Sequence, residues 1–291
     1  MNIKPYYLDV NNSFSLYHTE SLEWLQNRSS GSVDLIFLDP PYFLTSDRKS
    51  RVFKGDWDLS KGVKNDFDFH NKIITECQRV LKDDGVIWIT GTHHNIFQCG
   101  YSLQLNNFKI LNLISWYKPS RRFAGLKNNL AFDFENVIFA RKNQDTGHYL
   151  NWNYLTKARD RFHKDGDTMP TTWDIKPCNK SEIPWHPTPK PLELLNRIIM
   201  LSTKPNAIIL DPFNGSGTTG IATMIAGHGR KYIGLDLDNV YLDKTLDRLE
   251  AWKCADFSNW YHSPEQVQMR KEQQKTVFDE TAIAENINED I

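Results

Sequence analysis

The chain has 291 residues, 40% of them hydrophobic and 24% charged, with a formal net charge of −1. That length supports one large core with room for an insertion, and the composition is that of a soluble globular protein. No apolar run approaches the roughly 20 residues needed to span a bilayer, and Met1-Asn2-Ile3-Lys4-Pro5-Tyr6-Tyr7 lacks the apolar stretch of a signal peptide.

Cys77, Cys99, Cys178 and Cys254 are scattered with no C-x-x-C pair. That argues for reduced thiols in a cytoplasm and against a disulfide framework or a structural zinc site, so no metal is expected. From His262 onward three basic and seven acidic residues give a net of −4, so the rest of the chain carries +3. Its basic residues cluster at Arg48, Lys49, Arg51 and Lys54, at Lys118, Arg121, Arg122 and Lys127, and at Lys157, Arg159, Arg161 and Lys164. Any one cluster fits a solvated surface. Three, two of them flanking a candidate active-site strand, fit phosphate contacts equally well.

In chain order, Phe14 to Tyr17 is a short strand candidate. Val33 to Leu38 is an almost continuous apolar run, the pattern of a strand covered on both faces. Phe69, Ile73, Cys77, Val80 and Leu81 stand at helical spacing within Phe67 to Leu81, Asp83-Asp84-Gly85 reads as a turn, and Val86 to Thr90 as the next strand. Asn95 to Leu105 is helical, and Ile110 to Trp116 and Asn136 to Ala140 are two strands near one sheet edge. Between Lys142 and Pro187 the pattern breaks down. A structureless loop of that length is unusual in a compact domain, so 143–185 reads as an inserted recognition region with its own irregular structure. Pro191 to Leu201 is a helix, Ala207 to Leu210 a strand, Thr218 to Ala226 a helix, Lys231 to Leu235 a strand and Tyr241 to Trp252 a helix. The catalytic domain then spans 1–255. The polar, acidic tail 256–291 is disordered or orders against a partner. Strands alternating with helices predict an α/β fold, a doubly wound, mostly parallel sheet covered on both faces.

Two of these strands end at an Asp followed by Pro. In open α/β sheets the carboxyl ends of parallel strands are where ligands bind. The first, Asp39-Pro40-Pro41-Tyr42, resembles the catalytic motif of S-adenosylmethionine-dependent DNA amino-methyltransferases. An exocyclic amine on adenine or cytosine is a poor nucleophile, because its lone pair is delocalised into the ring. Two acceptors for its N–H groups favour pyramidal geometry. The Asp39 carboxylate is one, and the Pro40 carbonyl, held by a rigid Pro-Pro backbone, is the other. Tyr42 offers a ring face to a base extruded from the duplex. The plain alternative is a strand ending in a Pro-rich turn.

The second is Asp211-Pro212-Phe213-Asn214-Gly215-Ser216-Gly217-Thr218-Thr219. Gly215 and Gly217 let backbone approach a ligand closely and leave the N–H groups of the next helix open to a carboxylate. The pattern is neither the dinucleotide G-x-G-x-x-G nor a phosphate-binding P-loop. Asp236, after the following strand, suits the two hydroxyls of a ribose; its plain alternative is a helix cap. His186-Pro187-Thr188-Pro189-Lys190-Pro191 is similar to the family's H-P-T-x-K-P motif, and that similarity implies that Thr188 and Lys190 reach the methionine carboxylate.

The order, catalytic motif first and cofactor motifs last, resembles the β class of DNA amino-methyltransferases over roughly residues 14 to 252. Asp56-Trp57-Asp58, Asn95-Ile96 and Ala140-Arg141-Lys142 are smaller matches. The resemblance implies a seven-stranded Rossmann-like methyltransferase sheet, S-adenosylmethionine as cofactor, duplex DNA as substrate, homodimers in many members, and a separate restriction endonuclease as genetic partner. It implies catalysis by Asp39, Pro40, Pro41 and Tyr42. It implies a cofactor site of Glu20, His186, Thr188, Lys190, Asp211, Phe213, Asn214, Gly215, Ser216, Gly217, Thr218 and Asp236. Thr19-Glu20 replaces the family's usual Gly-Asp near the cofactor adenine. D-P-P-Y accompanies adenine N6 methylation more often than cytosine N4. DNA contacts fall to Arg48, Lys49, Arg51, Lys54, Arg121, Arg122, Lys127, Arg159 and Arg161, with Asn153, Trp173 and Arg161 chemically able to read or stack on a base. Pro177-Cys178 and Glu135-Asn136-Val137 mimic motifs of cytosine carbon-5 methyltransferases, but in the wrong order. RNA or protein-amide methylation and a non-catalytic specificity subunit are the rival functions.

Overall fold

A computed structural model describes residues 3–118, 132–157, 162–163, 167–178 and 182–253. In chain order the elements are β1 (Tyr7–Leu8), β2 (Phe14–His18), α1 (Ser21–Asn27), β3 (Val33–Leu38), a 3-10 turn (Asp56–Asp58), α2 (Val63–Val80), β4 (Leu81–Gly91), α3 (Ile96–Leu105), β5 (Lys109–Tyr117), β6 (Phe134–Arg141), α4 (Trp152–Lys157), β7 (Thr172–Asp174), α5 (Leu192–Ser202), β8 (Ile208–Asp211), α6 (Thr218–Ala226), β9 (Lys231–Asp236) and α7 (Asn239–Lys253).

The strands form one sheet in the order β1-β2-β9-β8-β3-β4-β6-β5-β7. Only β1 and β6 run against the rest. The expected seven strands are thus nine. The two additions are short edge strands: β1 pairs antiparallel with β2, and β7 comes from within 143–185. Neither has an apolar run long enough to announce it.

Side chains alternate across the sheet, so β3 feeds two cores. Leu35 and Phe37 join Phe14, Trp88, Ile198, Ile221 and Leu242 beneath α5, α6 and α7. Ile36 and Leu38 join Trp24, Ile73, Cys77 and Leu103 beneath α1, α2 and α3. Each fully buried Leu, Ile or Phe contributes about 1.5–3 kcal/mol of transfer free energy. Trp88 of β4 stacks on Phe139, its register partner on β6, with centroids 4.1 Å apart.

Two expectations need correction. Asp83-Asp84-Gly85 is not a turn between helix and strand. α2 passes directly into β4, and Lys82 to Gly85 form a bulge, because Val33 pairs with Leu81 while Leu35 pairs with Val86. Lys82 Nζ pins the bulge to both Asp34 carboxylate oxygens at 2.8 Å. The insertion is also less separate than its composition suggests. Leu155, Trp173 and Ile175 lie in the main core, and Trp116 Nε1 donates to the Ile175 carbonyl at 2.7 Å. The acidic tail lies outside the described residues.

A candidate active site at the carboxyl ends of the parallel strands

β3 stops at Leu38 because Pro40 and Pro41 have no N–H to continue the ladder. Asp39 therefore sits at the open end of the sheet, and its carboxylate collects donors from three directions. Oδ1 accepts from the Thr90 hydroxyl of β4 at 2.5 Å and from the Tyr42 phenol at 3.0 Å. Oδ2 accepts from Lys190 Nζ at 2.6 Å. Lys190 is 8% exposed, and its ammonium also lies 5.2 Å from the Tyr42 ring centroid. Burial alone would lower the Lys190 ammonium, but the Asp39 and Glu135 carboxylates outweigh it and the net direction is upward. Burial, then the charges of Asp39 and Glu135, push the Tyr42 phenol well up, so it stays protonated and donates.

Two further residues hold the loop in shape. Asp58, in the 3-10 turn and 2% exposed, accepts from the backbone N–H groups of Tyr42 at 2.7 Å and Phe43 at 2.8 Å. These bonds stabilise Phe43 at φ +55°, a left-handed conformation that an aromatic residue rarely adopts. Burial raises the Asp58 carboxyl, and the N–H groups it accepts from only partly offset that rise. On the other side, His70 of α2 donates from Nε2 to the Pro41 carbonyl at 3.0 Å, and the Gln98 carboxamide lies 3.2 Å from Nδ1. Burial lowers the His70 imidazolium, so the ring is neutral at pH 7.

At the second strand end, most motif side chains turn inward. Asp211 Oδ1 accepts from Phe213 N at 3.0 Å and Oδ2 from the Thr219 hydroxyl at 2.6 Å. Burial pushes its carboxyl up to about 7. Asn214 donates to Thr245 Oγ1 and accepts from the Tyr232 phenol, both at 2.9 Å. The Ser216 and Thr218 hydroxyls are 3.0 Å apart, and Arg248 donates to Thr218 Oγ1 at 3.0 Å and to the Ser216 carbonyl. Phe213 faces Phe69, with ring centroids 6.2 Å apart.

Gly215 at φ +48° and Gly217 at φ +70° are both left-handed. A Cβ on Gly217 would stand 2.4 Å from Thr245 Oγ1, which requires glycine there. Gly217 caps α6 without a side-chain hydrogen bond, so no side chain occupies the first N–H groups of that helix, where the macrodipole favours negative charge. Asp236, at the end of β9, accepts from Gly215 N at 2.7 Å and Asp238 N at 2.9 Å, with burial raising its carboxyl. Glu20 follows β2 and caps α1 by accepting from Glu23 N at 2.8 Å. The β2–β9 register pairs His18 with Asp236, so the two acids lie at adjacent strand ends.

The Pro-rich segment connects the two strand ends. The His186 ring packs against Gly215, whose added Cβ would meet Nε2 at 2.8 Å, and lies 4.9 Å from the Tyr241 ring. Burial, then the Lys190 charge, lower the His186 imidazolium to about 4. Its Nδ1 accepts from Thr188 N at 3.3 Å. Four residues further on, Lys190 reaches Asp39. The lysine implied by resemblance to hold the cofactor carboxylate thus rests on the Asp39 carboxylate.

Arg48, Lys49 and Arg51 are exposed and Lys54 half-buried in the loop after Tyr42. Arg48 pairs with Asp56 at 2.9 Å across open surface. Arg121, Arg122, Lys127, Arg159 and Arg161 lie outside the described residues. Trp173 is corrected. At 2% exposure it is a core residue, its Nε1 donating to the Pro170 carbonyl at 2.9 Å and its ring 5.1 Å from the Arg197 guanidinium. Burial, then Glu182, push the Cys178 thiol up to about 12, against any thiolate nucleophile there. Thr90, Asp58 and His70 were not anticipated. Each left a trace in the sequence: a Thr closing an apolar strand, an acid in Asp56-Trp57-Asp58, and a His within an apolar helix stripe.

A family profile described as DNA methylase, for N6 and N4 methyltransferases, matches residues 33–247. The type II methyltransferase M2.MboI of Moraxella bovis is 39% identical over 258 residues, 85% of this chain and 92% of the relative. M2.DpnII of Streptococcus pneumoniae is 38% identical, covering 85% and 93%. The crystal structure of an M1.HpyAVI–SAM complex is 26% identical with a TM-score of 0.57, over 81% of this chain and 99% of that one. With the permuted strand-end geometry and these matches together, the chain belongs to the DNA methylase family of N6 and N4 methyltransferases.

Proposed function

We propose that the protein transfers a methyl group from S-adenosylmethionine to N6 of an adenine flipped out of duplex DNA, as the modification enzyme of a restriction–modification system. The observation that carries this is the Asp39 carboxylate, held at an open strand end by Thr90, Tyr42 and Lys190 beside a rigid Pro-Pro backbone. When bound, the cofactor supplies an electrophilic methyl group on a sulfonium.

The chain's residues supply the rest. Asp39 accepts one N–H of the adenine amine and takes up the positive charge that grows on nitrogen as the C–N bond forms. The Pro40 carbonyl accepts the other N–H. His70 engages the Pro41 carbonyl and so fixes the angle between the two acceptors. Tyr42 stacks on the flipped base. Positioning supplies much of the acceleration, and the surplus proton leaves by way of Asp39 to solvent. The residues around the glycine loop fit this cofactor: the α6 start, without a side-chain cap, suits its carboxylate, and Asp236 and Glu20 at adjacent strand ends suit ribose hydroxyls and adenine.

Exposed Arg48, Lys49 and Arg51 contact phosphates, and Arg121, Arg122, Lys127, Arg159 and Arg161 are further candidates for DNA contact by their charge. A homodimer, a bacterial or archaeal cytoplasm and a separate endonuclease follow from the same role. Nucleoside mass spectrometry of unmethylated genomic DNA treated with protein and cofactor tests the proposal. N6-methyladenine is expected. N4-methylcytosine corrects the base, and neither product in DNA with cofactor bound overturns the function.

A further inference from the structure

We propose, building on that function, that Lys190 is a positioning residue for methyl transfer: its ammonium orients the Asp39 carboxylate for the target amine and does not anchor the cofactor. A carboxylate has about four lone-pair sites. In Asp39, Thr90 and Tyr42 occupy two on Oδ1 and Lys190 occupies one on Oδ2. Three donors from three segments fix the carboxylate's rotation and leave one acceptor position, on Oδ2, for the amine.

The lysine is itself fixed. Pro189 and Pro191 flank it, and His186 pins the start of the same segment against Gly215. Charge bookkeeping supports the assignment. Lys190 and Lys118 face Asp39 and Glu135 in one cluster, Lys118 paired to Glu135, so two ammoniums balance two carboxylates. Removing the Lys190 ammonium leaves the partly buried Asp39 carboxylate without its ion-pair partner and without the donor that fixes Oδ2. The start of α6, whose Gly217 cap makes no side-chain hydrogen bond, offers the cofactor carboxylate a partner other than Lys190.

The test compares Lys190→Met, which keeps the stem, with Lys190→Arg, which keeps the charge. Cofactor affinity is measured by calorimetry, and kcat is followed against pH on duplex DNA. The inference predicts unchanged cofactor affinity in Lys190→Met and a kcat about 100-fold lower, as for a small misplacement of a reacting group. It also predicts an acid limb moved up by about one pH unit and largely restored in Lys190→Arg. Weakened cofactor binding with an unmoved acid limb assigns Lys190 to the cofactor and overturns the inference. A wild type that methylates no DNA defeats the proposed function instead. Thermal melting of Asp39→Asn, Lys190→Met and the double variant then decides the pairing. A double variant that regains part of the Tm lost by Lys190→Met supports it, and strictly additive losses overturn it.

Discussion

The two strand ends use their motifs in opposite ways. At the end of β3 the proposed working part is a side chain. The Asp39 side chain is 19% exposed, and its partners Thr90 and Lys190 come from 51 and 151 residues away. At the end of β8 the side chains are the scaffold. Asp211, Asn214, Ser216 and Thr218 bond to the interior, and Gly217 starts α6 with no side-chain cap. The lesson is that a residue's place in a motif does not say which way it points. Substitutions at the first end should therefore cut turnover and leave cofactor affinity in place, whereas those at the second should damage fold and cofactor affinity together.

The largest effect is expected from Asp39→Ala. Its methylation rate should fall by about 10³-fold or more, within the range for losing a charge-stabilising or acid–base group, with calorimetric cofactor affinity retained. Gly217→Val should act the other way. A side chain meeting Thr245, at a φ that favours glycine, should cost on the order of 1–3 kcal/mol in urea unfolding and weaken cofactor binding. Equal losses of turnover with cofactor affinity intact in both would break the comparison.

Asp58→Asn sharpens it. The loop keeps Asp39 but loses a charged acceptor for Tyr42 and Phe43 N–H, so kcat/KM should fall by about tenfold while calorimetric cofactor affinity holds. Asp211 gives a pH signature. Burial raises its folded-state pKa to about 7 from the ordinary 3.8. Between those values the folded state keeps a proton that the unfolded chain has lost. The group's contribution is therefore largest at acid pH and fades as pH rises toward about 7. Asp211→Asn should flatten that slope in denaturation curves taken across the window; an identical slope would show that the loop aspartate does not titrate there. The smallest effect belongs to Arg48→Ala. Its exposed pair with Asp56 should contribute under about 1 kcal/mol to stability, while the salt dependence of DNA binding loses about one phosphate's slope.

Much of this architecture was legible in the sequence. The apolar runs at Val33 to Leu38 and Ala207 to Leu210 announced the central strands, because strands covered on both faces need no alternation. Helical spacing from Phe69 to Leu81 placed α2, although the helix starts at Val63. The short edge strands carried no comparable signal, since two or three residues cannot establish a period. Trp173 misled because its surroundings are polar in sequence, while in the fold it stacks near Trp88, their centroids 5.8 Å apart. At the site, Asp39, Gly217 and Asp236 were visible as strand-end punctuation. The Lys190–Asp39 pair was not, because nothing local to either segment specifies a contact between residues 151 positions apart.

The most direct test of the central claim is single-turnover methyl transfer by Asp39→Asn on unmethylated duplex DNA, with cofactor occupancy verified by calorimetry. The account predicts bound cofactor and no methyladenine on the wild-type timescale. Methyladenine formed at the wild-type rate would contradict it and remove Asp39 from the reaction.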